Sequence, residues 1–448
     1  MNSRNSLLLT SGNPGKRIIL FALPILAGDF LHTFYSMADA FIVGRWLGIN
    51  GLAAVGVGST LIRLLFGIAI GLSGGFTVIT AQRTGSGNEE RIRSSVAAGL
   101  SLCLYISIAL TAIILPLARP MLNLIRTPPE IMAGAASYVS VTFAGFGLFL
   151  FYNMLAGVIR AGGDSFSPSL FLVIGNICNI ILDIVFIVVF SWGMRGVAVA
   201  TVISQFISTL LAFRFLIRRF RKFIPRRQDW LAGQRELGAH LSLGIAMALQ
   251  RSIVEVGNIL VQAAMNGLGA LAIGAVSAAQ RVRGLNMMPV FALSHAMTTY
   301  VAQNYGAKKM DRVYQGIFHA CLIALGLGVF MAAMNQFIGT PIAALFLKDN
   351  TEAVALARQY ILFTGYTVFI LGIMLVFRSS LQGLGMRRAP ILCGVMETVM
   401  SIFAAFVLIP RLGFIGVCLV NPLSWLASGI PLYLAFGMLR RRGTPVSG

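Results

Sequence analysis

The sequence predicts an all-α integral membrane protein, with twelve transmembrane helices arranged as two six-helix lobes. Of its 448 residues, 57% are hydrophobic and only 11% are charged, and the mean hydropathy is +0.84. Soluble proteins carry about a quarter charged residues. A membrane-crossing helix needs about 20 mostly apolar residues. Twelve segments meet that need: 18–44, 51–80, 94–118, 131–157, 167–190, 196–217, 239–265, 270–300, 313–338, 355–381, 389–410 and 413–438.

The positive charge follows the predicted topology. The net charge is +21. With the N-terminus inside, 22 of the 35 Lys and Arg residues fall in cytoplasmic segments, and six fall on the opposite side. This is the positive-inside bias. It predicts a bacterial-type cytoplasmic membrane protein with both termini inside, and the basic charge needs no nucleic-acid partner.

The two halves of the chain resemble each other. AQRTGSGNEER at 81–91 aligns with AQNYGAKKMDR at 302–312, an offset of 221 residues, and two further pairs align at offsets of 222 and 220. Duplication of a six-span unit explains these offsets, and an even number of spans makes the repeats parallel. We predict an N-terminal lobe at 1–217, a basic cytoplasmic linker at 218–238 and a C-terminal lobe at 239–448.

Several classes of site lack their sequence signatures. The five cysteines lie in apolar spans without a CxxC pair, which argues against a disulfide framework or a zinc site. No GxxxxGK[ST], HExxH or GxSxG motif is present. The first sixteen residues lack the apolar core of a cleavable signal, so the first span should remain as an anchor. We expect no cofactor and no enzymatic activity.

Polar residues line one face of the first predicted span. Asp29, His32, Ser36 and Asp39 follow spacings of three, four and three residues. A carboxylate at membrane depth is unfavourable unless it is paired, hydrated or protonated, so such a span is typical of ion or proton transport. The alternative is a structural polar stripe between packed helices. His32, one turn after Asp29, could pair with it or relay protons.

The fifth span carries a second polar face. Asn176, Asn179 and Asp183 share one side of a helix, and Thr201 on the next span adds a hydroxyl. These groups suit sodium coordination or a proton-binding hydrogen-bond network; the alternative is polar packing between helices. Two buried carboxylates can take a proton near neutral pH or share sodium.

The acidic pair is absent from the second half of the chain. At an offset of 221, Asp39 corresponds to Leu260, and Asp183 corresponds to Phe403, Ala404 or Ala405 at offsets of 220 to 222. An architectural device should recur in both lobes, so this asymmetry favours coupling chemistry in one lobe. Two glutamates in later spans are weaker candidates. Arg251 lies one turn before Glu255 and could neutralise it, and Glu397 has no obvious partner.

Ordered motifs along nearly the whole chain resemble the multidrug and toxic compound extrusion (MATE) family. They are MADAFIVGRWLG, LAAVGVG, GSGNEERIR, IRAGGDS, NICNIILDIVF and GVAVATVIS in the first half, and LAIGAVSAAQRV, AQNYGAKKMDR and LQGLGM in the second. The resemblance implies two lobes around a central V-shaped cavity. It also implies alternating access, with export of cationic or amphipathic compounds in exchange for H⁺ or Na⁺.

The resemblance also assigns residues. It places the ion-coupling site on Asp39, Asn179, Asp183 and Thr201. Matches at possible cavity-lining positions are looser, and the family does not assign Asp29 or His32. The possible lining residues are Tyr35, Tyr138, Asn153, Asn176, Asp29, His32 and Glu255. No acid occurs in the tenth span, where one branch of the family has one, which favours the branch that uses first-lobe carboxylates.

We therefore predict a monomeric H⁺- or Na⁺-coupled antiporter for amphipathic, cationic drugs or toxic compounds. Apart from Na⁺ at Asp39 and Asp183, no metal is expected. Two alternatives stay open. A flippase for a lipid-linked precursor would need a basic cavity, which Arg63, Arg251, Arg281 and Arg378 could supply. An integral membrane enzyme is disfavoured because no nucleophile–base or metal constellation emerges.

Overall fold

The computed structural model describes residues 8–347 and 350–442, and these ranges contain helices and no strand. The helices of the first half are α1 (Pro14–Ser86), α2 (Glu89–Leu124), α3 (Pro129–Ala144), α4 (Phe146–Ala161), α5 (Phe166–Ile184) and α6 (Gly193–Arg219). Those of the second half are α7 (Arg227–Asn266), α8 (Ala270–Gly306), α9 (Met310–Met334), α10 (Thr340–Leu347), α11 (Thr351–Gly383), α12 (Arg388–Phe403), α13 (Ile409–Leu412) and α14 (Phe414–Arg442). The predicted all-helical class is confirmed.

Helix α1 contains two membrane spans. It has 73 residues, about 110 Å at 1.5 Å per residue, which is far more than one bilayer crossing. Gly48 interrupts it with φ 68° and ψ −166°, a conformation that a residue with a Cβ rarely adopts. This break lies between the predicted spans 18–44 and 51–80. Pro24 lies inside the helix without a comparable interruption.

The other crossings include two irregular cases. Nine helices of the described chain are long and apolar enough to cross a membrane, and α3 and α4 together make a tenth span bent by 45°. The second half of α1 brings the number to eleven. Helix α8, which contains the predicted span 270–300, would bring the number to twelve. It is not among these candidates, because residues such as Gln280, Arg281 and Arg283 lower its hydropathy.

Short π-helical segments recur near corresponding positions in the two halves. One, Val185–Val189, follows α5, and another, Ala404–Leu408, follows α12. They are 219 residues apart (404 minus 185), close to the offsets in the sequence repeat. A third, Asn335–Gly339, joins α9 to α10. The shared irregularity supports the duplication.

The chain divides into two compact units. Residues 24–248 belong to the first, and residues 9–23 belong with those from 249 onward to the second. The division therefore falls inside α7, whereas the predicted linker spans 218–238. The beginning of α7 packs tightly on α1: a Cβ on Gly75 would lie 2.4 Å from the Gly244 nitrogen, and one on Gly71 would lie 2.5 Å from the Ala248 Cα. This close packing attaches the first part of α7 to the first unit.

Within the first unit, a buried ion pair holds the first turn of α7 against α2. Arg93 Nε of α2 lies 2.8 Å from Asp229 Oδ2, and the Arg226 backbone N–H donates to the same oxygen at 2.7 Å. Asp229 is 1% exposed and Arg93 is 8% exposed. Removing one partner of such a pair leaves the other charge buried without compensation.

We predict that Asp229→Ala lowers the free energy of unfolding by about 3 kcal/mol, measured as thermal unfolding of the purified protein in detergent. Lys222→Ala is the matched control. Its ammonium lies 2.7 Å from Glu89 Oε1, but the two side chains are 76% and 46% exposed. Exposed pairs contribute little, so this variant should unfold like the wild type. Equal losses in the two variants would contradict a structural role for the buried pair.

Candidate functional site

Two helices of the first unit bring their polar faces together. Helix α1 contributes His32 and Tyr35, which lie three residues apart, and α5 contributes Asn176 and Asn179 at the same spacing. Tyr35 Oη of α1 donates a hydrogen bond of 2.6 Å to Asn179 Oδ1 of α5. One turn away, His32 Nδ1 and Asn176 Nδ2 lie 3.3 Å apart. These contacts fix the register of α1 against α5.

Asp39 and Asp183 each lie one turn beyond Tyr35 and Asn179, so the same register brings the two carboxyl groups close enough to interact. Asp183 is fully buried, and neither of its carboxyl oxygens has a donor from the protein; Oδ1 of Asp39 also lacks one. Two ionised carboxylates can only accept hydrogen bonds. The contact therefore becomes favourable when one group carries a proton or when a cation lies between them.

Polar groups surround the pair. Asn179 is fully buried, and its side-chain nitrogen has no acceptor, while its oxygen accepts from Tyr35. Tyr138 of α3 lies close enough to interact electrostatically with Tyr35 and with both carboxyl groups. Carboxylate and amide oxygens are ligands that hard cations favour. The side chains at this position can thus hold a proton or a small cation.

The structure does not pair His32 with Asp29, as one interpretation of the sequence suggested. His32 does not hydrogen-bond to Asp29; it contacts Asn176 and stacks on Tyr35 with ring centroids 5.5 Å apart. Asp29 instead interacts electrostatically with Arg160 of α4. The suggested His32–Asp29 pair is therefore wrong, because the imidazole turns toward α5. Ser36 donates to the His32 carbonyl oxygen at 3.0 Å within α1.

Two other predicted residues bond within their own helices. Thr201 Oγ1 donates to the Val197 carbonyl oxygen at 3.0 Å, and Asn153 Nδ2 donates to the Phe149 carbonyl oxygen at 2.8 Å. Neither of these hydrogen bonds reaches Asp39 or Asp183. The positive-inside bias assigns Arg160 to a cytoplasmic segment, but its side chain is partly buried near Asp29. This proximity could not be predicted from the sequence, because the two residues belong to different helices, α4 and α1.

The second unit holds a separate group of charges. Arg251 and Glu255 lie on α7, and Glu397 lies on α12. Glu255 accepts a hydrogen bond of 3.4 Å from Asn258, and no ion pair within 4 Å joins it to Arg251 in the described residues. Glu397, which has no partner evident in the sequence, interacts electrostatically with Arg378 of α11.

The described residues contain no cluster of three or more His, Cys, Asp or Glu side chains that could hold a metal ion. Their five cysteines are free. A cavity of about 550 Å³ lies apart from the charged groups, between α2, α4, α6 and the start of α7. Apolar side chains such as Leu104, Phe151 and Phe213 dominate its lining.

The MatE family model matches residues 24–185 and 246–407, which together exceed half of the chain. The chain belongs to the MATE family. The two matched ranges begin 222 residues apart (246 minus 24), so the family unit occurs twice, as the internal repeat predicts. The predicted membership and the two-lobe helical fold are confirmed.

Relatives match over most of their length. A probable multidrug resistance protein, YpnP, of Bacillus subtilis is 28% identical over 379 residues, or 84% of each chain. A FAD transporter of Shewanella oneidensis is 24% identical over 440 residues, covering 97% of this chain and 96% of its own. A crystal structure of MATE in complex with MaL6 has a TM-score of 0.89 at 21% identity, over 98% of this chain and 100% of that one. This MATE protein is therefore a multi-pass membrane transporter.

The carboxyl pair predicts pH-dependent stability. If the two groups share a proton, raising the pH removes it and leaves two adjacent negative charges in an apolar unit, so the wild type should lose thermal stability in detergent without sodium. Asp39→Asn and Asp183→Asn replace one charge by an amide that can donate to the remaining carboxylate, and both variants should show a flatter profile. A wild-type slope kept by both variants would contradict a shared proton.

Proposed function

We propose that this chain is an H⁺- or Na⁺-coupled antiporter that exports amphipathic, including cationic, compounds by alternating access. The single observation that carries the proposal is the contact between Asp39 and Asp183 in the interior of the first unit. The corresponding positions in the repeat hold no acid. A pair present in one copy only is suited to a chemical task rather than to the architecture that both copies share.

The contact suggests how an ion could bias two conformations. With the ion bound, the Asp39 and Asp183 groups attract each other through it, and α1 is held against α5. Without the ion, the two carboxylates repel, and the contact between the helices is weakened. A ligand shifts a two-state equilibrium by its difference in affinity for the two states. The ion site therefore needs to be intact in only one conformation.

The membrane potential can supply the driving force. Moving one charge through 100 mV releases about 2.3 kcal/mol, and a shift from 1:99 to 99:1 between two states needs about 5.5 kcal/mol. One or two cations, together with their concentration gradient, fall on this scale. The charge bias of the sequence supports a location in the cytoplasmic membrane with both termini inside. We further propose that the transporter acts as a monomer.

The test is transport of a fluorescent amphipathic cation in proteoliposomes, with proton and sodium gradients imposed separately. One of the two gradients should drive uptake or release by the wild type. Asp39→Asn and Asp183→Asn should each reduce gradient-driven transport by at least about tenfold, because each removes a carboxylate from the ion site. Asp311→Asn, which changes an exposed carboxylate in the first turn of α9, is the matched control and should transport normally.

Gradient-driven transport that survives in both aspartate variants at equal reconstitution would refute the site. Transport that responds to neither gradient in the wild type would refute the coupling itself. Thr201→Ala provides a finer comparison. Since the Thr201 hydroxyl bonds to its own helix, this variant should lose less transport than either aspartate variant.

A further inference from the structure

In the part of the chain that the structure describes, Arg251 and Arg378 of the second unit form no ion pair within 4 Å. Arg251 lies 24 residues from the start of α7 and 15 from its end, or about 36 and 22 Å along the axis. Its side chain is exposed at this depth. Arg378 lies on α11 one turn before Gln382, whose Nε2 lies 3.5 Å from Oε1 of Gln250, the residue before Arg251, so the two arginines lie near each other and interact electrostatically. Two guanidinium groups near each other in a membrane-spanning unit repel unless an anion lies between them.

Two glutamates lie nearby but leave the guanidinium donors available. Glu255 interacts electrostatically with Arg251, and Glu397 interacts with Arg378. Among the described residues, none of the ion pairs within 4 Å includes any of these four side chains. Glu397 Oε2 is buried without a hydrogen-bond partner. The glutamates thus balance the charge of the arginines at a distance and leave the guanidinium N–H donors free of ion pairs within 4 Å among the described residues.

Three other arginines lie in the predicted spans of this unit. Arg358 is exposed near the start of α11, seven residues after Thr351 (358 minus 351), and the other two are engaged. Arg283 Nη1 donates to Asn421 Oδ1 at 3.2 Å, and Asn421 in turn donates to Tyr360 Oη at 3.1 Å. Arg281 lies over the Phe346 ring, 4.8 Å from its centroid. Arg378 has the Cys393 thiol as a polar neighbour, which is a weak partner for a guanidinium group. Arg251 and Arg378 are therefore the pair suited to a ligand.

Local packing holds the pair in position. The Gly394 backbone of α12 allows close approach of α7, since a Cβ there would lie 3.0 Å from the Gln250 carbonyl oxygen. Thr398 Oγ1 donates to the Ile253 carbonyl oxygen at 2.7 Å, and Gln382 Nε2 lies 3.5 Å from Gln250 Oε1. These contacts join α7 to α11 and α12 on either side of Arg251.

We propose that Arg251 and Arg378 bind an anionic group, a carboxylate or a phosphate, of the transported molecule. Guanidinium groups match these groups by forming two parallel hydrogen bonds. The substrates of this transporter then include organic anions or zwitterions, and the second unit recognises the negative part. This assignment of substrate class rests on the proposed transport function.

The test compares rhodamine B, which carries a free carboxylate, with its ethyl ester, which has the same fluorophore without the negative charge. Binding is measured by fluorescence polarisation with the purified protein in neutral detergent. Arg251→Gln and Arg378→Gln should each weaken binding of the acid by about tenfold, the scale of a lost hydrogen bond to a charged group. Their binding of the ester should change by less than about twofold.

Arg281→Gln is the matched control, since it removes a span arginine of the same unit that lies over an aromatic ring, and its preference for the acid should equal that of the wild type. Arg251→Lys and Arg378→Lys, which keep the positive charge, should retain part of the preference. Parallel losses for acid and ester, or no loss for either, would overturn the proposal. Displacement of rhodamine B by phosphatidylglycerol would assign the arginines to a lipid headgroup and would also overturn it.

The antiport proposal and the anion-site proposal can be refuted independently of each other. Asp39→Asn should keep the preference for the acid while losing gradient-driven transport in proteoliposomes. If the wild type transports neither probe in response to a gradient but still binds the acid more tightly through the two arginines, the antiport proposal fails and the anion site stands. If gradient-driven transport is normal and the arginine variants bind both probes like the wild type, only the anion site fails.

Discussion

An ionised side chain in a membrane-spanning unit needs a partner, and this requirement explains how the polar groups of the first unit are arranged. Asp183 is fully buried, yet the charged group with which it interacts is another carboxyl group, that of Asp39. Tyr35 and Asn179 bond to each other and hold α1 against α5 at this level. The pair is compatible with its surroundings when a proton or another monovalent cation is present, so in the proposed mechanism ion binding and the packing of α1 on α5 depend on the same contact.

The neighbouring polar residues do not share this property. Asp29 has the Arg160 guanidinium nearby, and His32 has the Asn176 amide. Each of these groups has a compensating partner from the protein. A polar face that looks uniform along α1 in the sequence therefore separates into compensated positions and one uncompensated position. Only the uncompensated position needs an ion.

In each unit, two side chains of like charge lie near each other, and among the described residues none of the four forms an ion pair within 4 Å. In the first unit they are Asp39 and Asp183, and in the second they are Arg251 and Arg378, whose charges two glutamates balance at a distance. The repeat gives both units the same helical plan, as the two matched ranges of the family model show. In the two proposals, divergence at a few positions within the spans gives one plan two kinds of binding chemistry.

Helical periodicity and hydropathy predicted the spans, the repeat and the polar faces of α1 and α5. The break at Gly48 also falls where the sequence places a turn. Spacing alone could not identify contacts between helices distant in the chain. Arg378 lies beside Glu397 although they belong to different helices, and the i, i+4 rule pairs only neighbours on one helix. It suggested Arg251 with Glu255 and Asp29 with His32, and the structure shows no ion pair within 4 Å in the first case and other partners in the second.

The claim that Asp39 and Asp183 share one cation is tested most directly by infrared difference spectroscopy of the reconstituted protein. If the ion is a proton, raising the pH should remove one carboxylic acid C=O band, and that band should be absent from both Asp39→Asn and Asp183→Asn. If the ion is sodium, adding it at constant pH should remove the same band. A band that persists in both variants, or two bands that each disappear with only one variant, would contradict a shared cation.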